Sequence, residues 1–140
     1  MTTIADELNE LADEFDLLGD WEERYRYVID LGRELEPLAE GERNDANKVH
    51  GCASQVWLST RRTPDGRLAF RGDSDAHIVK GLIAVLLRLY SNRTPAEIAG
   101  FDAREAVQRL GLSEALSTQR SNGLAAMVAR IRRDAERAAA

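Results

Sequence analysis

Cys52 is the only cysteine in the chain, and Lys48 and His50 precede it at two-residue steps. One thiol cannot close an internal disulfide and cannot hold a metal alone. It can act as a nucleophile, and thiolates attack other sulfur atoms readily. Gly51 stands directly before the thiol and Ala53-Ser54 directly after it. That context predicts a flexed loop at the mouth of a strand beginning near Gln55, a place from which a thiol can be presented to another molecule. If the segment is extended, Lys48, His50 and Cys52 share one side, and a cationic neighbour favours thiolate over thiol. The competing roles are plain: a free cysteine commonly packs as a small hydrophobe, and a histidine in a polar loop is commonly just solvated.

Other chemistries fit less well. His50 and His77 are the only histidines, so beyond Cys52 the remaining ligands are carboxylates, whereas zinc wants about four well-placed ligands. No metal is expected. A cysteine protease would need the fold to return His77 to the thiol, and no oxyanion-hole signature is visible. Gly72-Asp73-Ser74-Asp75 lacks the spacing of a phosphate-binding loop.

A chain of 140 residues suits one domain, spanning 1–140, with a real core. Hydrophobic residues at 44% and charged residues at 31% describe a globular protein. The net charge of −5 argues against a nucleic-acid module. No apolar run approaches the ~18 residues of a membrane span, so no membrane partner is expected. The start, Met1-Thr2-Thr3-Ile4-Ala5-Asp6-Glu7, is acidic and unlike a secretory signal. With a lone cysteine, this points to the reducing cytoplasm.

The elements that must position the thiol follow from periodicity. Ile4, Leu8, Leu11, Ala12, Phe15 and Leu18 form one helical face, ended by Gly19. Asp20 is placed to cap a second helix carrying Trp21, Tyr25, Val28, Ile29, Gly32 and Leu35 up to Pro37. Residues 40–48 read as an exposed loop, with 48–50 able to form a short third strand. Alternation across 55–61 and 67–72, joined by Thr63-Pro64-Asp65-Gly66, predicts a β-hairpin. Asp73-Ser74-Asp75 reads as a helix start, and 76–90 as a central helix, apolar nearly all round. Thr94-Pro95-Ala96-Glu97 resembles a capping box opening a short helix to about Gly100. Another short helix runs from Asp102 or Ala103 to Leu110. After the polar tract 117–123, the last helix carries Leu124, Met127, Val128 and Ile131 and frays from Arg132 onward. The order α-α-β-β-α-α-α-α implies an α+β domain, a small antiparallel sheet packed with helices. Asp75 could serve as a helix cap, and Ser54 and Gln55 could fix the thiol loop by hydrogen bonds.

The run Gly51-Cys52-Ala53-Ser54-Gln55-Val56-Trp57, followed by Gly72-Asp73-Ser74-Asp75-Ala76 and Ile78-Val79-Lys80-Gly81-Leu82, resembles the SufE family. Trp21-Glu22-Glu23-Arg24-Tyr25, Leu31-Gly32, Thr94-Pro95, Phe101-Asp102 and the tract from Ser117 to Leu124 agree, in order and nearly along the whole chain. The resemblance implies an α+β fold similar to the IscU scaffolds, with one essential cysteine where those use three. It implies that Cys52 accepts sulfur from the persulfide of a SufS-like cysteine desulfurase, stimulates that enzyme, and delivers the sulfur to a SufBCD-type scaffold. The pyridoxal phosphate would belong to the desulfurase, so this chain needs no cofactor of its own. Asp75 matches a position near the cysteine loop that influences engagement of the desulfurase. Arg120 matches one that contacts it, and Gly51, Ser54 and Gln55 belong to the loop. His50 is not part of the family pattern. A labile persulfide would benefit from shelter, for which Val49, Val56, Trp57 and Leu82 are candidates. The resemblance leaves open a homodimer, and an acceptor for a second desulfurase system feeding other sulfur pathways. From the residues alone, a thiol redox protein and a non-transferring adaptor also remain.

Overall fold

The structure, a computed structural model, describes residues 3–113 and 116–139. Met1 and Thr2, part of the acidic start noted above, lie outside the described residues. The element order is α1 (Ile4–Asp16), α2 (Trp21–Arg33), β1 (Val56–Arg62), β2 (Leu68–Ser74), α3 (His77–Tyr90), α4 (Pro95–Ala99), α5 (Ala103–Arg109) and α6 (Thr118–Ala139). This is the α+β arrangement expected from the sequence.

The starts of α1, α2, α4 and α5 each have a local cause. Thr3 and Asp6 close a capping box on α1, Asp20 accepts from the Glu23 N–H at 3.0 Å, and Thr94 with Glu97 closes a second box behind Pro95. Asp102 accepts from the Arg104 N–H at 3.0 Å to open α5. Helix α3 differs. Its N-cap position is Ala76, with no side-chain cap, because Asp73 and Ser74 belong to β2. The helix start expected at 73–75 is therefore displaced: the register Val56↔Ser74 and Trp57↔Asp73 continues the hairpin through both residues. Helix α2 ends at Arg33, before Leu35, and its first residue, Trp21, stands 58% exposed rather than on the buried face.

Helix α3 is the core element. Ile78, Val79, Leu82, Ile83, Val85, Leu86, Leu89 and Tyr90 are all buried, and α3 packs against α1, α2, α6 and β2. It meets α2 backbone to backbone: a Cβ added to Gly81 would lie 2.2 Å from the Val28 carbonyl oxygen. On the hairpin, Val56, Leu58, Leu68, Phe70 and Ser74 turn inward. The third strand imagined at 48–50 is reduced to one antiparallel bridge, Lys48 to Trp57.

Helix α6 departs most from expectation. It begins at Thr118, absorbing the polar tract, and continues past Arg132 to Ala139. It does not fray there, because Ala135 is fully buried. The helix is also strapped to the hairpin and its approach. The Thr60 hydroxyl donates to Asp134 at 2.8 Å, and Arg130 pairs with Asp134 at 3.1 Å while donating to the Ala46 carbonyl at 3.0 Å. That strap carries the N-terminal part of α6 to the thiol.

Candidate functional site

The Cys52 loop is a closed excursion. At its base the Val49 N–H donates to the Val56 carbonyl at 2.8 Å, so residues 50–55 bulge out together. Gly51 takes a φ of 93° there and lies against α6, where a Cβ would come 3.3 Å from the Ala126 Cβ. A left-handed backbone and a close neighbour together demand glycine. The loop therefore turns instead of extending. Lys48, His50 and Cys52 do not share a side. Lys48 and His50 face a separate cleft with Ala129, Arg130 and Arg133, while Cys52 faces the other way.

The second fastening is the pair Gln55 and Asp75. The Gln55 N–H donates to Asp75 Oδ1 at 3.0 Å, and the Asp75 N–H reaches back to the Gln55 carbonyl at 3.4 Å. Asp75 thus holds the loop exit and caps no helix. The contribution of Gln55 comes from its backbone. Ser54 lines the cavity described below but makes no side-chain hydrogen bond among the described residues. Next to this fastening, Asp73 is anchored by Arg43 and by Lys80 at 3.5 Å. Burial works against its charge, but the Arg43 hydrogen bond and its other partners outweigh that and hold the carboxyl below its usual range.

Cys52 itself is half-buried. Its sulfur lies 3.5 Å from the Gly123 carbonyl oxygen, with the thiol as donor. Beside it is an almost wholly apolar cavity of ≈ 30 Å³, walled by Val79 and Leu82 from α3 and by Gly123 and Met127 from α6. About 10–15 Å³ of such space is enough to admit a water, so the recess has room for a small group beside the thiol. Ser54, Gln119 and Arg120 stand at its edge. Burial pushes the thiol pKa up. The cationic activation expected from Lys48 and His50 is absent, because both side chains lie in the other cleft.

Of the predicted site residues, Gly51, Cys52, Ser54, Gln55, Asp75 and Arg120 are brought together. Leu82 is the one predicted sheltering residue that lines the cavity. Val49 and Val56 are buried in the core, and Trp57 has the Arg43 guanidinium 6.0 Å from its ring. Val79, Met127 and above all Gly123 were not read as site residues. Gly123 carried a signal, since an isolated glycine beside a helical pattern often marks a close contact. Among the described residues no group of His, Cys, Asp and Glu could hold a metal ion, and no helix is long and apolar enough to cross a membrane.

The site is a small α+β domain's single thiol, held between two helices on a fastened loop. The particular family follows from comparison: the SufE model, described as an Fe-S metabolism associated domain, matches residues 9–135, and the chain belongs to that family. Membership associates it with iron–sulfur metabolism. An uncharacterized SufE-like protein of Rhizobium etli is 55% identical over 137 residues, covering 95% of this chain and 93% of the relative. A second, from Rhizobium meliloti, is 48% identical over 132 residues, covering 92% and 94%. The fold is also similar to the solution structure of a hypothetical protein from Thermus thermophilus, with a TM-score of 0.75 at 21% identity over 94% of this chain and 95% of the other.

Proposed function

We propose that the protein is a sulfur acceptor and carrier. Cys52 takes the sulfane sulfur of a persulfide formed on a cysteine desulfurase and hands it to a SufBCD-type scaffold. In the loading step the Cys52 thiolate attacks the outer sulfur of the partner's persulfide. The partner's S–S bond breaks, its cysteine leaves as thiolate, and the proton lost by Cys52 returns to that thiolate. One S–S bond is exchanged for another, so neither oxidant nor reductant is consumed.

The observation that carries this reading is the apolar cavity of ≈ 30 Å³ beside a half-buried thiol. A persulfide sulfur is open to attack by any small thiol, and a small apolar recess would shield it between partners. The raised thiol pKa fits the same role. In the cavity Cys52 stays protonated and inert, and the nucleophile forms when the loop swings out. A peroxide-sensing thiol calls for the reverse, an exposed and acidified sulfur.

The test is stimulation of desulfurase turnover by the parent and by Cys52→Ser. The change is nearly isosteric and lies outside the helices, so the fold should survive. A carrier loses its stimulation with the sulfur atom. Equal stimulation by the serine variant would convert the reading to an adaptor that acts by binding alone.

A further inference from the structure

Lys48 and His50, turned away from the thiol, face a cleft of ≈ 330 Å³ whose opposite wall is α6. Val49, Ala126 and Ala129 give it an apolar lining, and Arg130 and Arg133 complete it. Four of its seven lining residues thus carry a basic group, and no aspartate or glutamate lines it. Arg130 is already committed. It pairs with Asp134 at 3.1 Å and donates to the Ala46 and Lys48 carbonyls at 3.0 and 3.4 Å. The side chains of Lys48, His50 and Arg133 make no ion pair or hydrogen bond among the described residues.

Such a cluster runs against the chain as a whole, whose net charge is −5. Like charges gathered in a concavity repel one another and raise the local concentration of anions. The volume lies at the lower end of the roughly 300–1,000 Å³ of small-molecule sites. The three free groups come from two segments, the approach to the thiol loop and α6, so they meet the cleft from different sides. A carboxylate offers two oxygens in one plane and a single charge. A phosphate dianion offers oxygens in tetrahedral directions and a second charge. That suits a fork from Arg133, a point charge from Lys48 and a ring N–H from His50. A membrane or a nucleic acid presents a broad anionic surface, which the net negative charge of the chain opposes.

We infer that this cleft is a binding site for the phosphate group of a small soluble ligand, held by Lys48, His50 and Arg133. Arg130 builds the wall through Asp134 and the two carbonyls. The inference does not rest on the carrier reading, because Cys52 faces the other way.

The experiment is titration of the full chain with inorganic phosphate and with acetate, at neutral pH and with chloride holding the ionic strength constant. Calorimetry gives the affinity, and amide NMR shifts give the location. Phosphate should move the amides of residues 48–50 and 126–133 and bind at least about tenfold more tightly than acetate. Arg133→Ala, at an exposed position, should melt like the parent and weaken phosphate by about tenfold. Arg133→Lys keeps the charge without the fork and should fall between the two. Arg137→Ala removes the same charge from α6 outside the cleft and should stay within about twofold of the parent. Equal losses in Arg133→Ala and Arg137→Ala would overturn the inference, by reducing the binding to general charge attraction. So would shifts that map away from the cleft, or acetate binding as tightly as phosphate. Capture by phosphatidic-acid vesicles without binding of soluble phosphate would also overturn it, by making a membrane surface the partner.

Discussion

The Gly123 carbonyl oxygen lies 3.5 Å from the Cys52 sulfur, and a Cβ added to Gly123 would stand 3.5 Å from the same sulfur. The thiol therefore rests against bare helix backbone. Gly123→Ala should be tolerated by the folded protein, since that distance is ordinary contact. It should even gain up to about 1 kcal/mol in helix propensity. The added methyl narrows the cavity, however, so a Cys52 persulfide should be lost to a small thiol several-fold faster. Thermal melting beside persulfide decay separates the two effects. A variant that melts no lower than the parent and keeps its persulfide just as long would show that the recess is not a shelter.

Asp75 fastens the loop through the Gln55 N–H. Asp75→Ala removes that acceptor at an exposed site, so stability should fall by only about 1 kcal/mol. The loop should open more often, and Cys52 should react several-fold faster with a small alkylating reagent. Asp75→Asn keeps an oxygen acceptor and should stay near the parental rate. Hydrogen exchange should show lost protection at Gln55 in the alanine variant only. Parental alkylation rates in both variants would leave Asp75 without a role at the thiol.

The raised Cys52 pKa gives a signed pH dependence. Below the unfolded-chain value of ~8.5 the thiol is protonated in both states and costs the fold nothing. As pH rises through that value the unfolded chain ionises first, and the stability tied to the neutral thiol is progressively lost up to the higher folded pKa. Compared with Cys52→Ala, the parent should lose stability progressively as pH rises through the unfolded-chain value, measured by urea midpoints. Its alkylation profile should also be displaced to higher pH than that of free cysteine. A profile displaced to lower pH would mean that the thiol is activated, contrary to its burial.

Much of this architecture is written locally in the sequence. The caps at Asp20, Thr94 and Asp102, the Pro-Asp-Gly turn and the near-uniform apolarity of 76–90 each have a short-range cause, and each of these elements is present, with shifts only at the end of α2 and the start of α3. The misreadings arise where distant contacts decide. Asp73-Ser74-Asp75 has the composition of a helix start, yet pairing with Val56 and Trp57 keeps the first two in the sheet. The tail after Arg132 looks too polar to hold a helix, yet burial of Ala135 and the upstream tie of Asp134 to Thr60 and Arg130 keep it wound. An extended chain would align Lys48 and His50 with Cys52, but Gly51 has a positive φ and both side chains line another cleft. At the site, the motif marked the loop, whereas Gly123 entered it through a contact across 71 residues of chain, which spacing near Cys52 cannot reveal.

The most direct test of the carrier account is the intact mass of the protein after incubation with a cysteine desulfurase and free cysteine. The parent should gain the mass of one sulfur atom, the gain should map to Cys52, and a reducing thiol should remove it. Cys52→Ser should gain nothing. A parent chain that stimulates the desulfurase yet never acquires the added sulfur, under conditions where the desulfurase itself carries it, would contradict the account.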